Sequence, residues 1–105
     1  MTFKIVRGER FNQDLAEFGA YGAEYSLEWI EEQVNRIDYV IDALIARSPM
    51  TWTWFVHTGA PYRAYLFRVG RRTRYWIVYR VDQETETVNL LRFWNGARDP
   101  THFSL

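Results

Sequence analysis

The chain has 105 residues, no cysteine, and 13 basic against 13 acidic side chains, so its net charge is zero. The length is that of one domain, residues 1–105. The missing thiols exclude a disulfide framework and a thiolate metal site, and 48% apolar residues exclude intrinsic disorder.

In chain order, Phe3-Lys4-Ile5-Val6-Arg7 alternates as a short first strand, with Gly8 as a breaker. Phe11, Leu15 and Phe18 follow at helical spacing, with Asn12 placed to cap that helix, Asp14 in its first turn and Gly19 and Gly22 around its end. A longer helix is predicted after Ser26 as its cap. Ile30, Val34, Ile37, Ile41, Leu44 and Ile45 recur on one face, and Pro49 terminates it. Two helices joined by a short glycine-containing turn read as a helical hairpin.

After Pro49 the pattern turns to strand. Segments 52–57, 62–69, 73–81 and 87–94 are aromatic and β-branched, separated by Gly59-Ala60-Pro61, by Gly70-Arg71-Arg72 and by the polar run 82–86. Short loops between consecutive strands predict antiparallel pairing. The fold expected is therefore α+β: an N-terminal strand and a helical hairpin packed on a C-terminal antiparallel sheet of three to four strands. In the strand 73–81, either Ile77, Tyr79 and Val81 or Trp76, Val78 and Arg80 face the helices; alternation alone leaves both open.

Two compositional features point to a macromolecular partner. Five Trp, seven Tyr and seven Phe are many rings for one small core, and the surplus suits an interaction face. The charge is also uneven: residues 1–51 carry five basic and nine acidic side chains (−4), whereas residues 52–105 carry eight arginines and four acids (+4). Arginine favours bidentate contact with phosphate or carboxylate and stacks on aromatics, so the second half is where an anionic partner is expected to dock. No apolar run nears the ~18 residues that span a bilayer, and the N-terminal residues lack the apolar stretch of a secretion signal. The expectation is a soluble, cytoplasmic protein with no membrane partner, no metal and no cofactor.

The stretch from Arg74 through Tyr79-Arg80-Val81-Asp82, then Val88 to Trp94 and the tail Asn95-Gly96-Ala97-Arg98-Asp99-Pro100, resembles the C-terminal half of ParE-type toxins of bacterial toxin–antitoxin pairs. The helical hairpin is similar as well, so the resemblance covers most of the chain; the segment from Met50 to Pro61, with Trp52 and Trp54, departs from it. The resemblance implies a plasmid-stabilisation type toxin neutralised by a cognate antitoxin protein, alone or in a homo- or hetero-oligomer. Two activities are known in the ParE/RelE superfamily: inhibition of DNA gyrase, and cleavage of mRNA on the ribosome.

The residues weigh against cleavage. Aligned on Tyr79, the strand arginine of the RelE branch falls at Trp76, the terminal tyrosine is absent, with His102 and Phe103 nearest, and no lysine follows Lys4. A ribonuclease would need a rebuilt site of Arg74, Arg98 and His102 to activate the 2′-hydroxyl and stabilise the phosphate. A binder needs an anchor surface, for which Arg92, Trp94 and Arg98 are the candidates. The plainer readings stand beside these: His57 as a packed strand histidine, His102 as a solvated tail residue, Arg98 and Asp99 as a local ion pair, Arg71-Arg72 as a solvated turn, and Trp52, Trp54 and Trp76 as core. Three functions follow: a gyrase-binding toxin, an mRNA interferase, or a non-toxic interaction domain that keeps the fold.

Overall fold

The computed structural model describes residues 2–55 and 61–105, with Pro100 described by its backbone alone. Strand β1 (Lys4–Arg7) leads into helix α1 (Glu9–Ala23) and helix α2 (Leu27–Tyr39), whose last turns widen into a π-helical segment (Val40–Ile45). Strands β2 (Thr53–Trp54), β3 (Arg63–Arg68), β4 (Arg74–Asp82) and β5 (Thr87–Asn95) follow, then a 3₁₀ turn at Pro100–His102. The chain is thus α+β, two helices against one sheet.

The sheet departs from the expectation in two respects. Among the described residues it has five strands in the order β1-β5-β4-β3-β2, and it is mixed, because β1 pairs parallel to β5 while the other neighbours are antiparallel. The hairpin of helices is the reason: it returns the chain to the sheet at β2, on the edge opposite β1, and leaves the last strand to pair with the first. Of the expected strand 52–57, Thr53–Trp54 form β2 at that edge, with Trp52 and Phe55 outside it; Val56 and His57 lie outside the described residues.

The helices also differ in detail. Ser26 caps α2 as expected, its Oγ accepting from the Trp29 N–H at 3.1 Å. α1, however, starts at Glu9 with Gly8 as an uncapped N-cap, so Asn12 and Asp14 lie inside the helix. It also runs through Gly19 and Gly22. A Cβ on Gly22 would sit 2.5 Å from Ile30 Cδ1, so the glycine is what lets the two helices touch there. Gly8 has a similar role, since a Cβ there would sit 2.7 Å from the Leu90 carbonyl oxygen where the chain leaves β1 for α1.

The core between helices and sheet contains Phe11, Phe18, Ile37, Ile41, Ile77 and Tyr79, with Val34 and Leu44 half-buried at its margin. This settles the facing of β4: Ile77, Tyr79 and Val81 point to the helices. Trp76 and Val78 point the other way, into a second cluster with Phe55, Ala64 and Trp94 that the tail residue Phe103 covers. The parity of β5 changes midway. The pairing slips between Val78 and Tyr79, which face Arg92 and Leu90, so Leu91 is an extra residue in β5. The bulge turns Phe93 toward the helices and Trp94 toward the second cluster.

Candidate interaction site

β1 ends at Arg7, so β5 loses its neighbour beyond Leu90 and becomes a sheet edge. Helix α1 crosses that edge, and Asp14 occupies it. Asp14 Oδ2 accepts from the Phe93 backbone N–H at 3.0 Å and from Arg92 Nε at 2.6 Å, while its Oδ1 accepts from Arg92 Nη2 at 3.0 Å. This is a bidentate pair, with Asp14 and Arg92 side chains 11% and 5% exposed. Arg92 Nη1 donates to the Ser104 carbonyl, which ties the C-terminal tail to the same guanidinium.

Arg92, Trp94 and Arg98 do come together. The Arg92 and Arg98 guanidinium carbons lie 5.1 and 5.5 Å from the Trp94 ring centroid, on the scale of cation–π contact. Phe103 packs on the same ring with centroids 5.2 Å apart, and on Phe55 at 4.9 Å. Of the three expected binding residues, however, Arg92 and Trp94 are buried and Arg98 alone is exposed. An incoming partner thus meets Arg98 and the tail, while Arg92 and Trp94 support them from below.

Arg98 looks into a cleft of about 480 Å³ between α1 and the ends of β4 and β5, lined also by Phe18, Tyr21, Tyr75, Phe93 and Asn95. Its floor is a stack of Tyr75 on Phe93, 4.5 Å between centroids and 5° from parallel, with Phe18 edge-on to both. Burial pushes the Tyr75 hydroxyl above its ordinary pKa, and the Arg98 cation works in the opposite direction. Tyr75 therefore stays a neutral donor and acceptor at physiological pH. An aromatic floor with Arg98, the Asn95 amide and the Glu17 carboxylate around it suits gripping a side chain or a ring.

The trio Arg74, Arg98 and His102 is not drawn into one cavity. Arg74 lines a different one, at the β3–β4 turn, and His102 sits exposed in the 3₁₀ turn. That turn is capped by Asp99, whose carboxylate accepts from the Thr101 N–H at 3.0 Å; bonding to Thr101 holds the Asp99 pKa below the usual range. Asp99 thus caps the tail, and no ion pair to Arg98 is present among the described residues. No cluster of three or more His, Asp or Glu able to hold a metal occurs among them either, and no described helix is long and apolar enough to cross a membrane.

The sequence reading missed Asp14, Tyr75 and Phe103 as parts of this site. For Asp14 a signal existed: it stands three residues after Phe11 and four before Phe18, on the apolar face of its helix, where a carboxylate demands a partner. No family model and no curated protein matches the chain.

Proposed function

We propose that this chain is the toxin of a type II toxin–antitoxin pair, of the ParE-like kind, with a RelE/ParE-like fold, acting by binding a macromolecular target such as DNA gyrase. The observation that carries the reading is the fate of the sheet face opposite the helices. Phe55, Trp76, Val78, Trp94 and Phe103 fill it, and Arg92 beside them is committed to Asp14. Cleavage of a phosphodiester needs several cations and a proton donor preorganised around one phosphate, and the loss of one such donor typically costs ~10²–10³ in rate. Arg74, Arg98 and His102 are dispersed, so the exposed Arg98 and the tail that lie over this filled face are better suited to holding than to cutting. The order of strand, helical pair and strands, with the Gly96-Ala97-Arg98-Asp99 tail, supports the toxin reading over an unrelated binder.

The test is induced expression in a bacterium, reading growth, DNA-damage response and mRNA integrity together, followed by a supercoiling assay with purified gyrase. Growth arrest with a DNA-damage response and intact mRNA is expected. Arg98→Ala should relieve it while leaving the thermal melt unchanged. Site-specific mRNA cleavage in a translation extract, abolished by Arg74→Ala, would replace this reading with the interferase. Normal growth without antitoxin would replace it with a non-toxic interaction domain.

A further inference from the structure

The β3–β4 turn gathers the densest positive charge among the described residues. Val69 N–H donates to the Thr73 carbonyl at 2.9 Å and closes the turn. Arg68 and Arg74 are direct cross-strand partners, the last pair before it. Arg71 and Arg72 occupy the turn itself, and all four arginines are exposed. Together with Thr73 and the backbone of Gly70, Gly96 and Ala97 they line one cavity of about 190 Å³ that contains no acid. Arg36 of α2 lies outside this cavity and bonds the backbone beside it, its Nη2 donating to the Arg68 carbonyl at 3.0 Å.

Two features make this arrangement costly for stability alone. Like charges directly opposite on an antiparallel pair destabilise it, and neither Arg68 nor Arg74 has an ion pair to a carboxylate among the described residues. The neighbouring strand end is shaped around Arg74: a Cβ on Gly96 would lie 3.0 Å from both the Arg74 Cγ and its carbonyl oxygen, and Gly96 N–H donates to that carbonyl at 2.8 Å. The glycine lets the end of β5 lie against the Arg74 stem. Such a cluster relaxes when an anion enters it. Four adjacent cations exceed what one phosphate group neutralises, so a chain of phosphates fits better than a free one. With zero net charge on the protein, the attraction must be local to this tip.

We infer that the Arg68–Arg71–Arg72–Arg74 cavity is a binding site for the phosphodiester backbone of a nucleic acid, separate from the Arg98 cleft and going beyond the proposed gyrase contact. Thr73 lines both cavities, so a strand held at the tip runs past the Arg98 cleft.

The experiment is fluorescence anisotropy of the full chain with a labelled 20-base-pair DNA duplex and, separately, a 20-nucleotide single-stranded RNA, each from 50 to 200 mM salt. Four phosphate contacts give slopes of log K against log salt of about −3.6 on duplex DNA and about −2.8 on a single strand. Whichever polymer binds more tightly is the source of the phosphates. Arg71→Glu with Arg72→Glu should weaken binding at least tenfold and reduce the slope by about half, the contribution of two contacts. Arg10→Glu with Arg80→Glu changes the net charge equally at exposed positions outside the cavity and should cost less than threefold. Gly96→Ala, which displaces the Arg74 stem, should weaken binding severalfold without losing the fold. Absence of binding to either polymer at 50 mM salt would overturn the inference. So would equal losses in the two double variants, or displacement of the polymer by micromolar inorganic phosphate. None of these outcomes depends on whether gyrase is the target.

Discussion

Replacing Asp14 by alanine removes three hydrogen bonds from one buried point: two to the Arg92 guanidinium and one to the Phe93 N–H. What remains is a nearly enclosed cation whose other partner is the Ser104 carbonyl. Breaking a buried ion pair from one side costs about 3–5 kcal/mol, because the surviving charge is left desolvated and unmatched. A domain of this size has ~5–15 kcal/mol of stability in total. The entropy of unfolding for 105 residues makes each kcal/mol worth about 4.5 °C of melting temperature, so Asp14→Ala should lower Tm by roughly 14–23 °C. Urea titration followed by far-ultraviolet circular dichroism measures the free-energy loss directly. The companion variant Asp14→Leu with Arg92→Met removes both charges and keeps the volume filled, and should recover stability to within about 1–2 kcal/mol of the parent, as apolar replacements of buried pairs do. A loss below about 1 kcal/mol for Asp14→Ala, or a double variant no better than the single, would refute the claim that this pair secures α1 to the edge of β5.

Two further predictions concern the core and the tail. Tyr79 is buried and its hydroxyl donates to the Pro49 carbonyl at 2.6 Å, so Tyr79→Phe should cost about 1–2 kcal/mol by leaving that carbonyl unmatched. Burial raises the Tyr79 pKa, against a smaller opposing effect from Arg63. A raised folded value means the stabilisation is fully present below the unfolded value near ~10 and is lost as pH rises through the folded one. Urea midpoints of the parent should therefore fall steeply above about pH 10, and those of Tyr79→Phe less steeply; equal slopes would contradict it. Phe103 covers Trp94 and Phe55 while half-exposed itself, so Phe103→Ala should cost about 1–2 kcal/mol, less than a fully buried ring. It should also red-shift tryptophan fluorescence and raise acrylamide quenching; an unchanged spectrum would mean the tail does not shield Trp94.

Local pattern was enough for the parts of this chain whose causes are local. The three- and four-residue spacing of Ile30, Val34, Ile37, Ile41 and Ile45 determined a helix with that face inward, and the Ser26 cap follows from the same short window. The aromatic, β-branched runs determined β3, β4 and β5, and charge counting found the arginine-rich half. Tertiary structure decided the rest. The parallel pairing of β1 with β5 joins residues some eighty positions apart, and nothing within either strand encodes its neighbour. The bulge at Leu91 reversed the parity of β5: unbroken alternation from Val88 and Leu90 would carry Arg92 and Trp94 to the helix face, whereas the fold turns them to the opposite face and buries them there. Asp14 and Arg92 meet across seventy-eight residues, because α1 crosses the edge that β1 leaves bare. Arg71-Arg72 form an exposed turn, as their sequence suggested, but only the register of β3 and β4 set Arg68 opposite Arg74 beside it. Spacing along a chain fixes which side chains share a face of one element. Which elements meet, and which charges are thereby buried or gathered, depends on long-range contacts whose energies arise only when the whole domain closes.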